Sequence, residues 1–151
     1  MANLRTALVL GGGGARAAYQ VGVLLAIREL RGESTENPFP ILCGTSAGAV
    51  NVATLACNAG NFRAAVDALA EVWRNMHAGH IYRADPIGVA ASGGRWLAAL
   101  LLGWAIGRSP RSLLDNRPLR KLLTQRLDFR NIERSIRKGR LYAVSITASG
   151  Y

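Results

Sequence analysis

A chain of 151 residues, half of them apolar and 7% aromatic, is long enough for one domain with its own core and too apolar to be disordered. Two cysteines, Cys43 and Cys57, exclude a disulfide framework, nothing has metal-ligand spacing, and the apolar run ahead of the first glycines is too short for a signal peptide. The formal charge of +10 is lopsided: residues 1–107 carry 8 Lys+Arg against 6 Asp+Glu and residues 108–140 carry 11 against 3, so the basic character belongs to the C-terminal third.

Thr6–Leu10 is a short apolar run that stops at four glycines, the pattern of a buried strand entering a loop. Tyr19, Val23, Ile27 and Leu30 then recur at helical spacing until Arg31-Gly32, where glycine suits the left-handed cap position. After the polar loop ESTENP, Phe39–Cys43 reads as a second strand, followed by Gly44-Thr45-Ser46-Ala47-Gly48 and a helix from about Ala47 to Ala59. Asn61 is positioned to cap a third helix with Phe62, Ala65, Val66, Leu69, Val72, Trp73 and Met76 on one face. Asp85-Pro86 resembles a further helix start. Trp96–Ile106 is the one long apolar run, and its 11 residues fall short of the ~20 that a membrane span needs. Asn116-Arg117-Pro118 starts another helix, with Leu119, Leu122, Leu123 and Leu127 inward and Arg120, Lys121 and Arg126 outward. Leu141–Thr147 has strand composition. Strands alternating with helices of these lengths predict an α/β fold, a parallel-type sheet sandwiched by helices.

The chemistry concentrates in the two glycine loops. Ser46 falls where a nucleophile elbow would put it, on a tight strand-to-helix turn, with Gly44 and Gly48 removing side chains that would collide across it. The Gly12, Gly13 and Gly14 amides, with that of Ala47, are candidate donors to an oxyanion, and Arg16 either adds charge or braces the glycine turn. A competing reading is dinucleotide binding, because Gly12-x-Gly14-x-x-Ala17 fits a G-x-G-x-x-[GA] fingerprint after a strand. It lacks the acidic ribose anchor at the end of the second strand; Glu33 and Glu36 lie before that strand, in a loop.

GGGGARAAYQVGVL followed about thirty residues later by GTSAGAVN resembles the N-terminal half of a patatin-like phospholipase. The family's oxyanion motif G-G-G-x-[RK]-G matches Gly12 to Arg16 and departs at Ala17, where glycine is usual; its G-x-S-x-G elbow matches Gly44 to Gly48, and SLLDNRPLRKLL is also familiar in bacterial members. The resemblance implies a lipid acyl hydrolase with a Ser-Asp dyad, Ser46 as nucleophile, and no metal or organic cofactor. The family's aspartate sits in a D-G-[GA] motif, and this sequence has no Asp-Gly pair: Asp67, Asp85, Asp115 and Asp128 precede Ala, Pro, Asn and Phe. Residues 1–151 are therefore expected to be the N-terminal portion of a single patatin-like domain, truncated before the dyad aspartate and inactive alone. His77 and His80 are the weaker candidates for a base, in a Ser-His-Asp order that would need Asp67.

The expected partners are a lipid or other acyl ester and an anionic membrane surface drawn to Trp96–Ile106 and the basic third, with an oligomer as a further possibility. The alternative is a non-catalytic membrane-binding module with a vestigial elbow. Nucleic acid is disfavoured, since no recognised motif or interleaved aromatics accompany the arginines. The expected location is cytoplasmic, peripheral to a membrane where the basic third engages one.

Overall fold

The computed structural model describes residues 5–75 and 117–148. Three parallel strands, β1 (Ala7–Leu10), β2 (Ile41–Thr45) and β3 (Ala143–Thr147), lie in that order across one sheet. Their register aligns Leu8 with Leu42 and Val144, and Leu10 with Gly44 and Ile146. Helices α1 (Ala17–Leu30), α2 (Ala47–Cys57) and α3 (Phe62–Arg74) follow the first two strands, and α4 (Arg117–Arg126) and α5 (Arg130–Arg137) precede the third. The α/β class and parallel pairing expected from the alternation of elements are what the chain adopts.

Because side chains alternate across a strand, Leu10 and Leu42 point to one face, where they join Val21 and Leu24 of α1, Val52 and Leu55 of α2, and Phe62, Val66 and Leu69 of α3 in a single core. The other face carries Val9, which is 73% exposed, beside Cys43 and Ser145. Helix α2 is buried along nearly its whole length, from Gly48 to Cys57 apart from Val50. A helix apolar on all sides belongs inside, and α2 sits against all three strands, α1, α3 and α5.

Several boundaries differ from the sequence expectations. β2 runs on through Gly44-Thr45 to the serine itself, since parallel pairing with β3 continues to Thr45 and Thr147. α1 begins at Ala17, after a turn of 3-10 helix at Gly14–Arg16, and its buried side is Ala17, Val21 and Leu24, while Tyr19, Val23 and Leu30 are exposed. Its sequence is apolar on most sides, so spacing alone did not select the inward stripe. In α3 the expected inward residues Phe62, Ala65, Val66 and Leu69 are buried, Val72 and Trp73 half-buried, and the Asn61 side chain accepts from the Ala64 N–H at 3.0 Å.

Helix α5 was not anticipated. Asp128 organises its start, accepting from the Arg130 N–H at 3.1 Å and from the Arg130 side chain at 2.9 Å, and Gly139, at φ 70°, closes its end with its N–H donating to Ile136 O at 2.9 Å. Helix α4 exposes Arg120, Lys121 and Arg126 as expected. Leu127, expected to face inward, is buried just after that helix. The expectations for Met76, His77, His80, Asp85, Trp96–Ile106 and Asp115 fall outside the described residues.

Candidate active site

Ser46 is the residue on which the backbone turns from β2 into α2. Its φ of 54° and ψ of −121° make it the one non-glycine residue with positive φ among those described. Such a conformation costs of order 1–3 kcal/mol and persists only where the surroundings enforce it. They do so here: the Ser46 N–H donates to Thr147 O of β3 at 3.1 Å, and Ser46 O accepts from the Ala49 N–H at 2.9 Å, which locks the residue between sheet and helix. The serine is exposed to solvent.

Glycine is a steric requirement on both sides of this turn. A Cβ on Gly44 would stand 2.6 Å from Gly48 O and 2.8 Å from the Ala49 Cα, and one on Gly48 would collide with the carbonyl oxygens of Leu10 and Gly11. Helix α2 is thereby seated directly on the end of β1. Its first N–H groups, Ala47 among them, have no partner within the helix and sit at the positive end of its dipole.

The same close seating brings the first glycine loop to the serine. A Cβ on Gly12 would lie 3.1 Å from the Ser46 Cβ and 3.7 Å from its Oγ. Gly13, at φ 150°, and Gly14, at φ 56°, take conformations that side chains rarely adopt, and the Gly12 and Gly13 amides find no backbone acceptor among the described residues. Arg16 bends back over this turn: its N–H donates to Gly13 O at 3.1 Å, and its Cβ lies 3.4 Å from where a Gly13 Cβ would be. Ala17 takes the ordinary helical φ of −64° and is buried, so its methyl group needs no glycine there.

Behind the loop runs a chain of side-chain hydrogen bonds. Gln20 Nε2 donates to Gly11 O at 2.9 Å; Asn51 Nδ2 donates to Gln20 Oε1 at 2.9 Å and to Ala17 O at 3.2 Å; Trp73 Nε1 donates to Asn51 Oδ1 at 2.7 Å. Asn51 is fully buried. Sequence reasoning singled out neither Gln20 nor Asn51 and placed Trp73 only on an inward face. Their signal was an amide set in the middle of an apolar helical run, AAYQVGVL and AGAVNVATL.

Both described aspartates lie away from the serine in structural roles. Asp67 of α3 pairs with Arg28 of α1. Asp128 is held below the usual carboxylate range by the Arg130 side chain, and its charge reaches Cys57 at the opposite end of α2, about 15 Å of helix from Ser46. Burial, with a smaller push from Asp128, raises the Cys57 thiol to about 11, leaving it an inert apolar group. Among the described residues no cluster of His, Cys, Asp or Glu could hold a metal ion, and no helix is long and apolar enough to cross a membrane.

A serine on a strained strand-to-helix turn, flanked by obligatory glycines and faced by a second glycine loop at the carboxyl ends of parallel strands, defines an α/β protein with a tight serine turn between sheet and helix. The family model for patatin-like phospholipases matches residues 8–149, and the chain belongs to that family. Membership supports lipid acyl hydrolase chemistry in general terms. Comparison with curated proteins and with solved structures found no match.

Proposed function

We propose that Ser46 is the nucleophile of a serine lipid acyl hydrolase, a phospholipase A-type cleavage of a carboxylic ester. The observation that carries this reading is the enforced positive φ of Ser46 beside Gly12. In the proposed reaction Oγ attacks the ester carbonyl and gives its proton to a base; the tetrahedral oxyanion is received by the Gly12, Gly13 and Gly14 amides with that of Ala47. Collapse expels the alcohol and leaves an acyl-serine, which water hydrolyses. The dyad aspartate is proposed to lie outside these residues, which would make residues 1–151 the N-terminal portion of the catalytic domain, inactive by itself. Arg16 braces the glycine turn in this reading, supported by its packing against Gly13.

The test is hydrolysis of a p-nitrophenyl acyl ester series and of phospholipid vesicles by the full-length protein, beside Ser46→Ala. Cleavage that vanishes in the variant supports the reading. Vesicle binding without cleavage would instead favour the non-catalytic membrane module, and undiminished cleavage by Ser46→Ala would remove the serine from the mechanism.

A further inference from the structure

Trp73, Asn51 and Gln20 form a chain whose direction is set at one end. An indole N–H only donates, so Asn51 must turn its oxygen, Oδ1, toward Trp73 at 2.7 Å. Its amide nitrogen is then committed to Ala17 O and Gln20 Oε1. With its oxygen occupied, Gln20 has only its nitrogen left for the loop, and that nitrogen donates to Gly11 O at 2.9 Å. Asn51, fully buried with both its oxygen and its nitrogen paired, holds this polarity firmly, because flipping it would set N–H against N–H and oxygen against oxygen.

The Gly11–Gly12 peptide is planar, and in the trans form its carbonyl and N–H point in opposite directions. Anchoring Gly11 O on the α1 side therefore turns the Gly12 N–H away from α1. Gly12 is also the glycine that abuts Ser46, with its Cβ direction 3.7 Å from Oγ, and Gly48 packs on the Gly11 carbonyl from the α2 side. We propose that the Trp73–Asn51–Gln20 chain is a positioning device that fixes the direction of the Gly12 N–H as an oxyanion donor. The inference rests on the acyl hydrolase reading of Ser46. In this proposal the three residues act through the glycine loop and not on the ester itself.

The experiment compares Gln20→Ala, Gln20→Glu and Trp73→Phe with the unmodified full-length protein and Ser46→Ala, measuring kcat, KM and melting temperature on a p-nitrophenyl ester. Gln20 is only half-buried, so its replacement leaves the core intact. Gln20→Ala frees the Gly11 carbonyl and should lower kcat about tenfold or more with KM nearly unchanged, since misplacing an oxyanion donor weakens the transition state and not the ester complex. Gln20→Glu sets a carboxylate against the Gly11 carbonyl and should lower kcat at least as far. Trp73→Phe releases the amide polarity while keeping an aromatic ring, and should cost a smaller factor in kcat. Wild-type kcat in both Gln20 variants, with Ser46→Ala silent, would overturn the positioning role and leave the acyl hydrolase reading standing. Activity surviving in Ser46→Ala would overturn both.

Discussion

At the carboxyl ends of the strands, backbone meets backbone: Gly44 against Gly48, Gly48 against the Leu10 and Gly11 carbonyls, Gly12 against Ser46. At the amino ends of the same strands, Arg5, Thr6, Pro40 and Arg140 line an open cavity of about 690 Å3. Gly139, at φ 70°, lines this cavity, but the one non-glycine residue with positive φ among those described, Ser46, lies at the other end. The chemistry proposed for Ser46 belongs to the pole opposite this cavity. In parallel α/β sheets the helix N-termini, with their unpaired N–H groups, gather at the carboxyl ends, and chemistry that must stabilise developing negative charge goes there.

The sharpest way to break this contrast is Gly48→Ala. Its methyl group would strike two carbonyl oxygens of the β1 end that have no room to retreat, so the substitution should cost about 3 kcal/mol or more, read from the denaturant midpoint. A loss below about 1 kcal/mol would show that α2 is not seated on β1 as closely as described.

A second effect probes how tightly the far end of α2 is closed. The buried Cys57 thiol has a raised folded pKa, so the folded state keeps its proton after the unfolded chain has lost it, and stability declines as pH rises from the ordinary 9.0 toward about 11. Below that window the group is neutral in both states and contributes no pH dependence. Cys57→Ala should remove on the order of 2 kcal/mol of the alkaline loss, measured by unfolding at pH 8 and pH 11; an unchanged alkaline slope would mean that the thiol titrates as freely in the fold as out of it.

Ser46→Gly tests whether the elbow is strained. Glycine adopts positive φ without penalty, so the variant should gain up to about 1 kcal/mol in stability while Ser46→Ala, which keeps a Cβ, should not. Equal stabilities would place no strain at Ser46. The smallest effect belongs to the amino-end pole: a Cβ on Gly60 would meet only the guanidinium of Arg140, 2.7 Å away at the end of an exposed, flexible side chain. Gly60→Ala should therefore change stability by less than about 0.5 kcal/mol. A cost near that of Gly48→Ala would erase the difference between the two ends.

Much of this was legible without coordinates, for local reasons. Four glycines after Leu10 and the pair around Ser46 announce turns because only glycine removes a Cβ, and an alternation of short apolar runs with helical spacing announces parallel strands. Asn61 was readable as a cap because its side chain bonds a neighbour three residues away. Helix α5 escaped because its eight residues are mostly charged or polar, so its place depends on Ile132 meeting the core and on the Asp128 cap. The inward side of α1 escaped because Val23 is as apolar as Val21; packing against α3 chose between them.

The amino-acid sequence by itself determined the order of the elements apart from α5, the two glycine turns and the family to which they belong, since each is written in residues close together in the chain. Only the tertiary structure decided that Gly12 stands against Ser46, thirty-four positions later, and that an indole of α3 sets the polarity of an amide chain ending at the Gly11 carbonyl. Those contacts arise from the seating of α2 between sheet and helices. Asn51 is fully buried there, so its amide is held by the protein groups around it.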